Sequence, residues 1–474
     1  MILNRKTKIV CTIGPATNTP EMIEKLIKAG MNVARLNFSH GTHEEHERII
    51  KIIREKSKEL NTHVGILVDT KGPEIRTGAF ENGSVSYEKG DIVKIFKKEV
   101  LGTKEGFHIN VKELFHDMSI GNIILIDDGK VKLNVIEVRE EYLLCEVANK
   151  GVIKDHKGVN TPGVHVSMPF VSKKDSKDLD FAVKMDVDMI ALSFVRTAGD
   201  VMQIRSILNF LDSKKIELIS KIESQQAMDA LEEILNVSDG IMVARGDLGV
   251  EVSTQVVPLY QKKMITMANE KGKPVITATH MLESMMHTPR PTRAEASDVA
   301  NAILDGSDAI MLSGESASGL YPIEAVETMD IIAKTIEPTI DYENRLQKSL
   351  LTSEKTVNDA IGMSVAQSAL ILPDVAAVFA FTETGGTAKR LCKFRPSVPL
   401  IAITKEEKTC NKLTYYWGIT SVFRDDYNDF ISYDRVAIDV AKQLGYTNGA
   451  KIIITSGYLQ QHGSTNTIRI LEIK

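Results

Sequence analysis

Eight short runs of apolar, often β-branched residues recur along the chain and alternate with amphipathic stretches. They are KIVCTI (8–13), NVARLNF (32–38), GILVDT (65–70), MIALSF (189–194), ELISKIE (217–223), GIMVARGD (240–247), PVITATH (274–280) and AIMLSG (309–314). Nearly all stay apolar until the last one or two residues and then turn polar. Strands buried on both faces read this way when only their C-terminal ends reach a functional rim. Eight such β/α units predict a (β/α)8, or TIM, barrel with its site at the strand ends.

Successive runs begin about 23 to 35 residues apart, except that more than a hundred residues separate the third from the fourth. A connection of that length needs a core of its own. Inside it, GDIVKIF, GNIILIDDGKVKLNVIEV and YLLCEVANKGVI are strand-like segments punctuated by Gly, Asp-Gly and Asn turns, so the insert is expected to be a small β-barrel. Emerging after a strand's C-terminal end, it would lie over the barrel mouth as a lid. Beyond residue 340 the alternation restarts: a helix over SEKTVNDAIGMSVAQSALIL, strand VAAVFAFT, helix GTAKRLCKF, strand PLIAIT, a helix near 429–444 and strand AKIIIT. The expected organisation is therefore a barrel over 1–72 and 170–340, a lid over 73–169 and a C-terminal α/β domain over 341–474.

Fifty-eight basic residues against 63 acidic ones, with no basic run, exclude a generic nucleic-acid or polybasic membrane surface. An anionic ligand has to be met by local groups. No run of about 18 apolar residues or leader-like segment stands out, so the expected location is the cytoplasm. Cys11, Cys145, Cys392 and Cys410 are scattered without CxxC spacing and read as reduced core thiols.

The strand ends carry the chemistry: Arg35, Asn37 and Ser39; Asp69 and Thr70; Lys221 and Glu223; Asp247. Lys221 and Glu223 are two apart and share one face of a strand. Glu223 with Asp247 offers the one or two carboxylates that Mg²⁺ takes alongside substrate oxygens. No GxxxxGK[ST] loop occurs, so a nucleotide must be held by scattered side chains.

MNVARLNFSHG (31–41), DTKGPEIRTG (69–78), KGVNTPG (157–163), KIES (221–224), ARGDLGVE (244–251), ATHMLESM (278–285), the long segment at 291–322, TETGGTAKRL and ITSG resemble pyruvate kinases, in order and over nearly the whole chain. The resemblance implies phosphoryl transfer from phosphoenolpyruvate to ADP. It implies that Lys221 stabilises the transferring phosphoryl group and the enolate, that Arg35 contacts that phosphate, and that Thr279 lies near the carbon protonated afterwards. Glu223 and Asp247 would bind Mg²⁺ or Mn²⁺. The Ala244, Arg245, Gly246 and Asp247 segment would receive the substrate carboxylate. Asn37, Ser39, Asp69 and Thr70 match a K⁺ site, and His40, Arg76 and Lys157 match nucleotide-binding positions. An anionic effector would sit at Thr382, Thr384, Gly385, Gly386 and Thr387. The opposite loop, GYLQQHGSTNT, lacks Lys and Arg, which favours a monophosphate there over a bisphosphate. A homotetramer and a compact bacterial-type form are implied as well. His280, Thr161 and Ser316 stand where Gln, Leu and Thr are usual. The competing reading is a silent phosphometabolite-binding relative, against which the intact Lys221, Glu223, Asp247, Arg35 and Thr279 argue.

Overall fold

The structure, a computed structural model, describes residues 5–213, 215–427, 430–457 and 465–474. Strands Lys8–Thr12, Val33–Asn37, Gly65–Asp69, Met189–Leu192, Glu217–Ile222, Gly240–Ala244, Val275–Ala278 and Ala309–Leu312 close into one parallel barrel in chain order. Each of the eight runs supplies one of these strands. Period-two alternation sorts their side chains. Cys11, Leu36, Val68, Leu218 and Ile310 pack outward into the helical layer, whereas Val10, Val33, Leu67, Ile219, Met242 and Met311 fill the lumen. The inward rows end at the mouth in Thr12, Arg35, Asp69 and Lys221, so the polar strand ends face into the barrel rather than away from it.

The base of the barrel is built on a repeat that runs around its axis. Asn32, Asp188, Asp239 and Asp308 each directly precede an even-numbered strand and accept the first free N–H of the strand before it: Ile9 at 2.9 Å, Ile66 at 2.8 Å, Leu218 at 2.8 Å and Val275 at 3.0 Å. Each also takes an arginine: Arg5 at 2.9 Å, Arg54 at 2.8 Å, Arg205 at 2.6 Å and Arg395 at 2.9 Å. Strand-start amides that would be orphaned at the barrel rim are thereby satisfied. The first three arginines belong to the barrel, and the fourth comes from the C-terminal domain.

Between the third and fourth barrel strands lies the lid. Its six-stranded sheet runs in the order Val159–Asn160, Ile123–Ile126, Val131–Val138, Tyr142–Val147, Ile92–Phe96, Gly106–His108, with a separate pair formed by Ser84–Tyr87 and Gly151–Lys154. Bridges Arg76 to Gly158 and Thr77 to Ile109 tie its two edges together, so the sheet closes on itself around Tyr87, Phe107, Ile126 and Leu133. The Asp-Asp-Gly turn of its central hairpin has positive φ at Asp127, Asp128 and Gly129 (53°, 56° and 82°), as a tight right-twisted hairpin requires.

The C-terminal sheet has the order Ile419–Phe423, Leu400–Thr404, Val375–Phe381, Lys451–Ser456, Thr467–Glu472, parallel except for the last strand. The two outer strands were not anticipated. Both lie at sheet edges, where half-exposed, mixed-polarity sequences such as ITSVF and TIRILE resemble loops. This domain plugs the barrel base. Leu391, Leu413, Tyr415 and Trp417 share one apolar cluster with the lumen residues Val10, Leu67 and Ile219. All four cysteines are free and buried, and burial pushes Cys145, Cys392 and Cys410 up to about 12.

Candidate active site

The inward ends of three barrel strands bring Arg35, Asp69 and Lys221 together, and Glu223 follows directly after the third. Lys221 Nζ lies 2.8 Å from Glu223 Oε1 and 3.4 Å from Asp69 Oδ1, and it donates to Ser193 Oγ at 2.8 Å. Arg35 clasps Asp69 Oδ2 through Nε (2.8 Å) and Nη2 (2.6 Å), and its Nη1 donates to Thr12 Oγ1 at 2.8 Å. Asp69 and Glu223 are each only 1% exposed. Burial alone would raise Asp69, but Lys221 and Arg35 outweigh it and hold the carboxyl below its usual range. For Lys221, burial works downward and is overcome by Asp69, Glu223 and Asp247, so the ammonium is held charged. Burial, reinforced by Asp247, lifts Glu223 against the pull of Lys221. Three carboxylates against two cations leave this pocket short of positive charge.

The open side of the cluster is a cleft of about 510 Å³ between mouth and lid. Glu223, Asp247 and Glu251 line it from the barrel, and Glu74, Arg76, Lys157 and Asn160 from the lid. Asn160 Nδ2 donates to Glu251 Oε1 at 2.8 Å, which latches lid to barrel. Arg76 is braced by Glu74 at 2.7 Å and Lys157 by Asp127 at 3.0 Å, so both cations reach the cleft on fixed stems.

Thr279 and His280 sit in the left-handed region, at φ 65° and 52°. That is an outlying conformation for a β-branched residue and persists only where neighbours enforce it. Arg245 does so, donating from Nε to Ala278 O (3.2 Å) and from Nη2 to Thr279 O (2.6 Å), while Asp298 holds its Nη1 at 2.7 Å. Thr279 Oγ1 in turn accepts the Gly246 N–H at 2.8 Å. Arg245 thus shapes the loop through its own hydrogen bonds.

Asn37 and Asp69 are cross-strand partners, and Asn37 Oδ1 accepts the Ser39 N–H at 3.0 Å. Thr70 Oγ1 accepts the Ser193 N–H and donates to Ala191 O, both at 3.3 Å. The four oxygen-bearing residues matched to K⁺ therefore lie around one pair of strand ends. His40 is exposed on the following turn and is absent from the cleft lining; the ring of His46 lies 2.9 Å from its carbonyl. Thr382, Thr384, Gly385, Gly386 and Thr387 form a separate turn in the C-terminal domain, where Thr382 Oγ1 accepts the Gly385 N–H at 3.0 Å and Gly385 has φ 90°. Most of the opposite loop, 458–464, lies outside the described residues.

Sequence reasoning missed Ser193, which ties Lys221 to Asp69, and the Phe194 N–H, which donates to Glu223 Oε2 at 2.5 Å. The signal was present, since Ser193 is the polar end of the fourth run.

A metal ion fits here. Among the described residues no group of three or more His, Cys, Asp or Glu is poised around one ion. Two carboxylates facing a substrate-sized cleft suit a cation that completes its shell from ligand oxygens and water. Glu223 Oε1 is buried and accepts no aligned hydrogen bond, despite its closeness to Lys221, so it retains a lone pair for such an ion.

Two family models, the pyruvate kinase barrel domain and the pyruvate kinase alpha/beta domain, match residues 4–326 and 359–471. The chain belongs to the pyruvate kinase family. Pyruvate kinases of Staphylococcus aureus (strain MRSA252) and Staphylococcus epidermidis (strain ATCC 12228 / FDA PCI 1200) are each 49% identical to it over 470 residues, covering 98% of this chain and 80% of the relative. The crystal structure of a pyruvate kinase from Cryptosporidium parvum superimposes with a TM-score of 0.95 at 38% identity, covering 99% of this chain and 97% of that one. Within this pyruvate kinase fold the departures from the family pattern are accommodated locally. Ser316 Oγ donates to Thr12 O at 2.9 Å, and Thr161 is buried at the lid margin.

Proposed function

We propose that the mouth of the barrel performs its chemistry with Lys221, Arg35, Glu223, Asp247 and Thr279. The protein is a pyruvate kinase, a glycolytic phosphotransferase that moves the phosphoryl group of phosphoenolpyruvate to ADP and yields pyruvate and ATP. The bond from phosphorus to the enol oxygen breaks, a bond to the terminal ADP oxygen forms, and the enolate left behind takes a proton on carbon. Little of this is covalent work for the protein; positioning and charge stabilisation dominate. Lys221 and Arg35, locked by Asp69, present two fixed cations where charge moves between the oxygens. Arg76 and Lys157 hold the nucleotide from the lid, with His40 joining from its turn when the cleft is occupied. The Ala244 to Asp247 segment receives the substrate carboxylate, and Thr279 stands beside the carbon to be protonated. The observation that carries this assignment is Lys221, a buried cation between Asp69 and Glu223, with Glu223 lining a cleft whose other wall bears Arg76 and Lys157.

Glu223 and Asp247 would hold Mg²⁺ or Mn²⁺. Such an ion polarises phosphoryl and enolate oxygens when bound. Asn37, Ser39, Asp69 and Thr70 would hold K⁺, whose charge offsets the surplus of carboxylates and phosphates. The enzyme works in the cytoplasm as a homotetramer of dihedral symmetry, and an anionic monophosphate binds the turn from Thr382 to Thr387. Lactate-dehydrogenase-coupled turnover of phosphoenolpyruvate and ADP, with and without Mg²⁺ and K⁺, tests the assignment. Turnover requiring both substrates is the expected result. Retained nucleotide binding with no turnover would make the chain a silent binding relative.

A further inference from the structure

Lys221 stands near the top of the strand Glu217–Ile222, and the residue at the foot of that strand is held by the C-terminal domain. Glu217 is 4% exposed. Its Oε1 pairs with Lys389 Nζ, and its Oε2 accepts from Tyr415 Oη at 2.6 Å and Tyr416 Oη at 3.3 Å. Lys389 also lies over the Tyr416 ring, 5.0 Å from its centre. All three side-chain contacts of Glu217 cross from barrel to C-terminal domain. Asp188 and Asp239 take arginines from within the barrel, whereas Glu217 is gripped wholly from outside it.

Glu217, Ile219 and Lys221 form one inward row of a single strand, with Ile219 packed in the lumen cluster that also holds Leu413, Tyr415 and Trp417. Two such steps span about 13 Å of extended chain, short and stiff enough that the foot fixes the height of the head. Lys221 has little tolerance for a change in height, because it must meet Asp69, Glu223 and Ser193 at once.

We propose that Glu217 and Lys389 are a positioning pair through which the C-terminal domain sets the height of Lys221 in the phosphoryl-transfer site. The proposal rests on the reading of Lys221 given above. Neither residue touches substrate, so the pair acts on the transition state through Lys221. Misplacement of a reacting group by about 1 Å can cost up to ~10²-fold in rate.

The test measures kcat and KM for phosphoenolpyruvate separately in Glu217→Gln, Lys389→Met, Lys389→Arg and the double variant Glu217→Gln/Lys389→Met, below the unfolding transition of each. Expected is a kcat lowered about tenfold in Glu217→Gln and Lys389→Met, with KM within about twofold. The double variant should be no worse than the poorer single, because the two act as one unit, and Lys389→Arg should recover most of the rate. Should Glu217→Gln fail to fold, Lys389→Met against Lys389→Arg decides the matter alone. Unchanged kcat with only a lower unfolding midpoint, additive losses, or a loss confined to KM would overturn the proposal. Wild-type turnover in Lys221→Met would instead overturn the underlying reading of Lys221, a separable result.

Discussion

The mouth and the base of the barrel are both lined with buried carboxylates facing cations, yet only one of them is open. At the base, Asp308 gives one oxygen to Arg395 and the Val275 N–H and the other to the Trp417 N–H, and both oxygens of Glu217 are taken as well. Every one of those partners belongs to the chain. At the mouth, Glu223 and Asp247 both line the cleft between barrel and lid. The same residue types therefore serve opposite ends. Asp308 and Glu217, closed by the protein, join the two domains, whereas Glu223 and Asp247 face a cleft. Substitutions at Asp308 and at Glu223 should separate stability from rate.

The largest effect is expected at the mouth. Glu223→Gln should lower kcat by about 10²- to 10³-fold, the scale of losing a preorganised charge at the reacting centre, while its unfolding midpoint stays close to wild type. Steady-state kinetics beside thermal denaturation would check this, and a matching fall in stability would blur the contrast. Asp308→Ala should do the reverse. Removing one partner of a buried pair leaves Arg395 uncompensated and costs about 3–5 kcal/mol of stability, measurable by urea unfolding, with kcat of the folded fraction within a few-fold of wild type.

A smaller effect concerns pH. Lys8 is buried at the base with Nζ donating to Ile419 O at 2.5 Å, and burial, aided by Arg5, lowers it to about 7. An unfolded lysine titrates near 10.4, so between about pH 7 and pH 10 the unfolded chain binds more protons and stability rises with pH. Lys8→Met should remove that rise. Lys8→Met should be the more stable protein at the acid end of this window, with the two unfolding free energies converging toward the alkaline end, and parallel curves would refute the assignment.

The smallest change sharpens the mouth alone. Glu74 lies between Arg76 at 2.7 Å and Lys71 at 3.5 Å on the cleft wall. Glu74→Lys should raise activity without K⁺ and reduce stimulation by K⁺, measured at matched ionic strength. Equal wild-type rates with and without K⁺ would remove the monovalent ion from the mechanism.

The mouth was legible in the sequence and most of the base was not. Strands buried on both faces advertise themselves as apolar runs, and their polar last residues, Arg35, Asp69 and Lys221, break the pattern where function begins. At the foot of the strands the informative residues look ordinary. Asp188, Asp239 and Asp308 read as turn residues ahead of a strand, and nothing adjacent in sequence points to the distant arginines Arg54, Arg205 and Arg395. The signal was a period, Asn32, Asp188, Asp239 and Asp308 before every second strand, visible only once the strands are counted as a barrel. The inward tilt of Ser193 and the Arg245 brace on Thr279 depend on backbone geometry that no local motif encodes.

The central claim is that Lys221 is the cation of phosphoryl transfer, and Lys221→Met tests it most directly because the methylene stem is retained and only the charge is lost. Turnover of phosphoenolpyruvate and ADP should be compared with calorimetric binding of phosphoenolpyruvate to the same variant. A fall in kcat of ~10² or more with binding largely kept is the result this account predicts. Turnover above a tenth of the wild-type rate would contradict it.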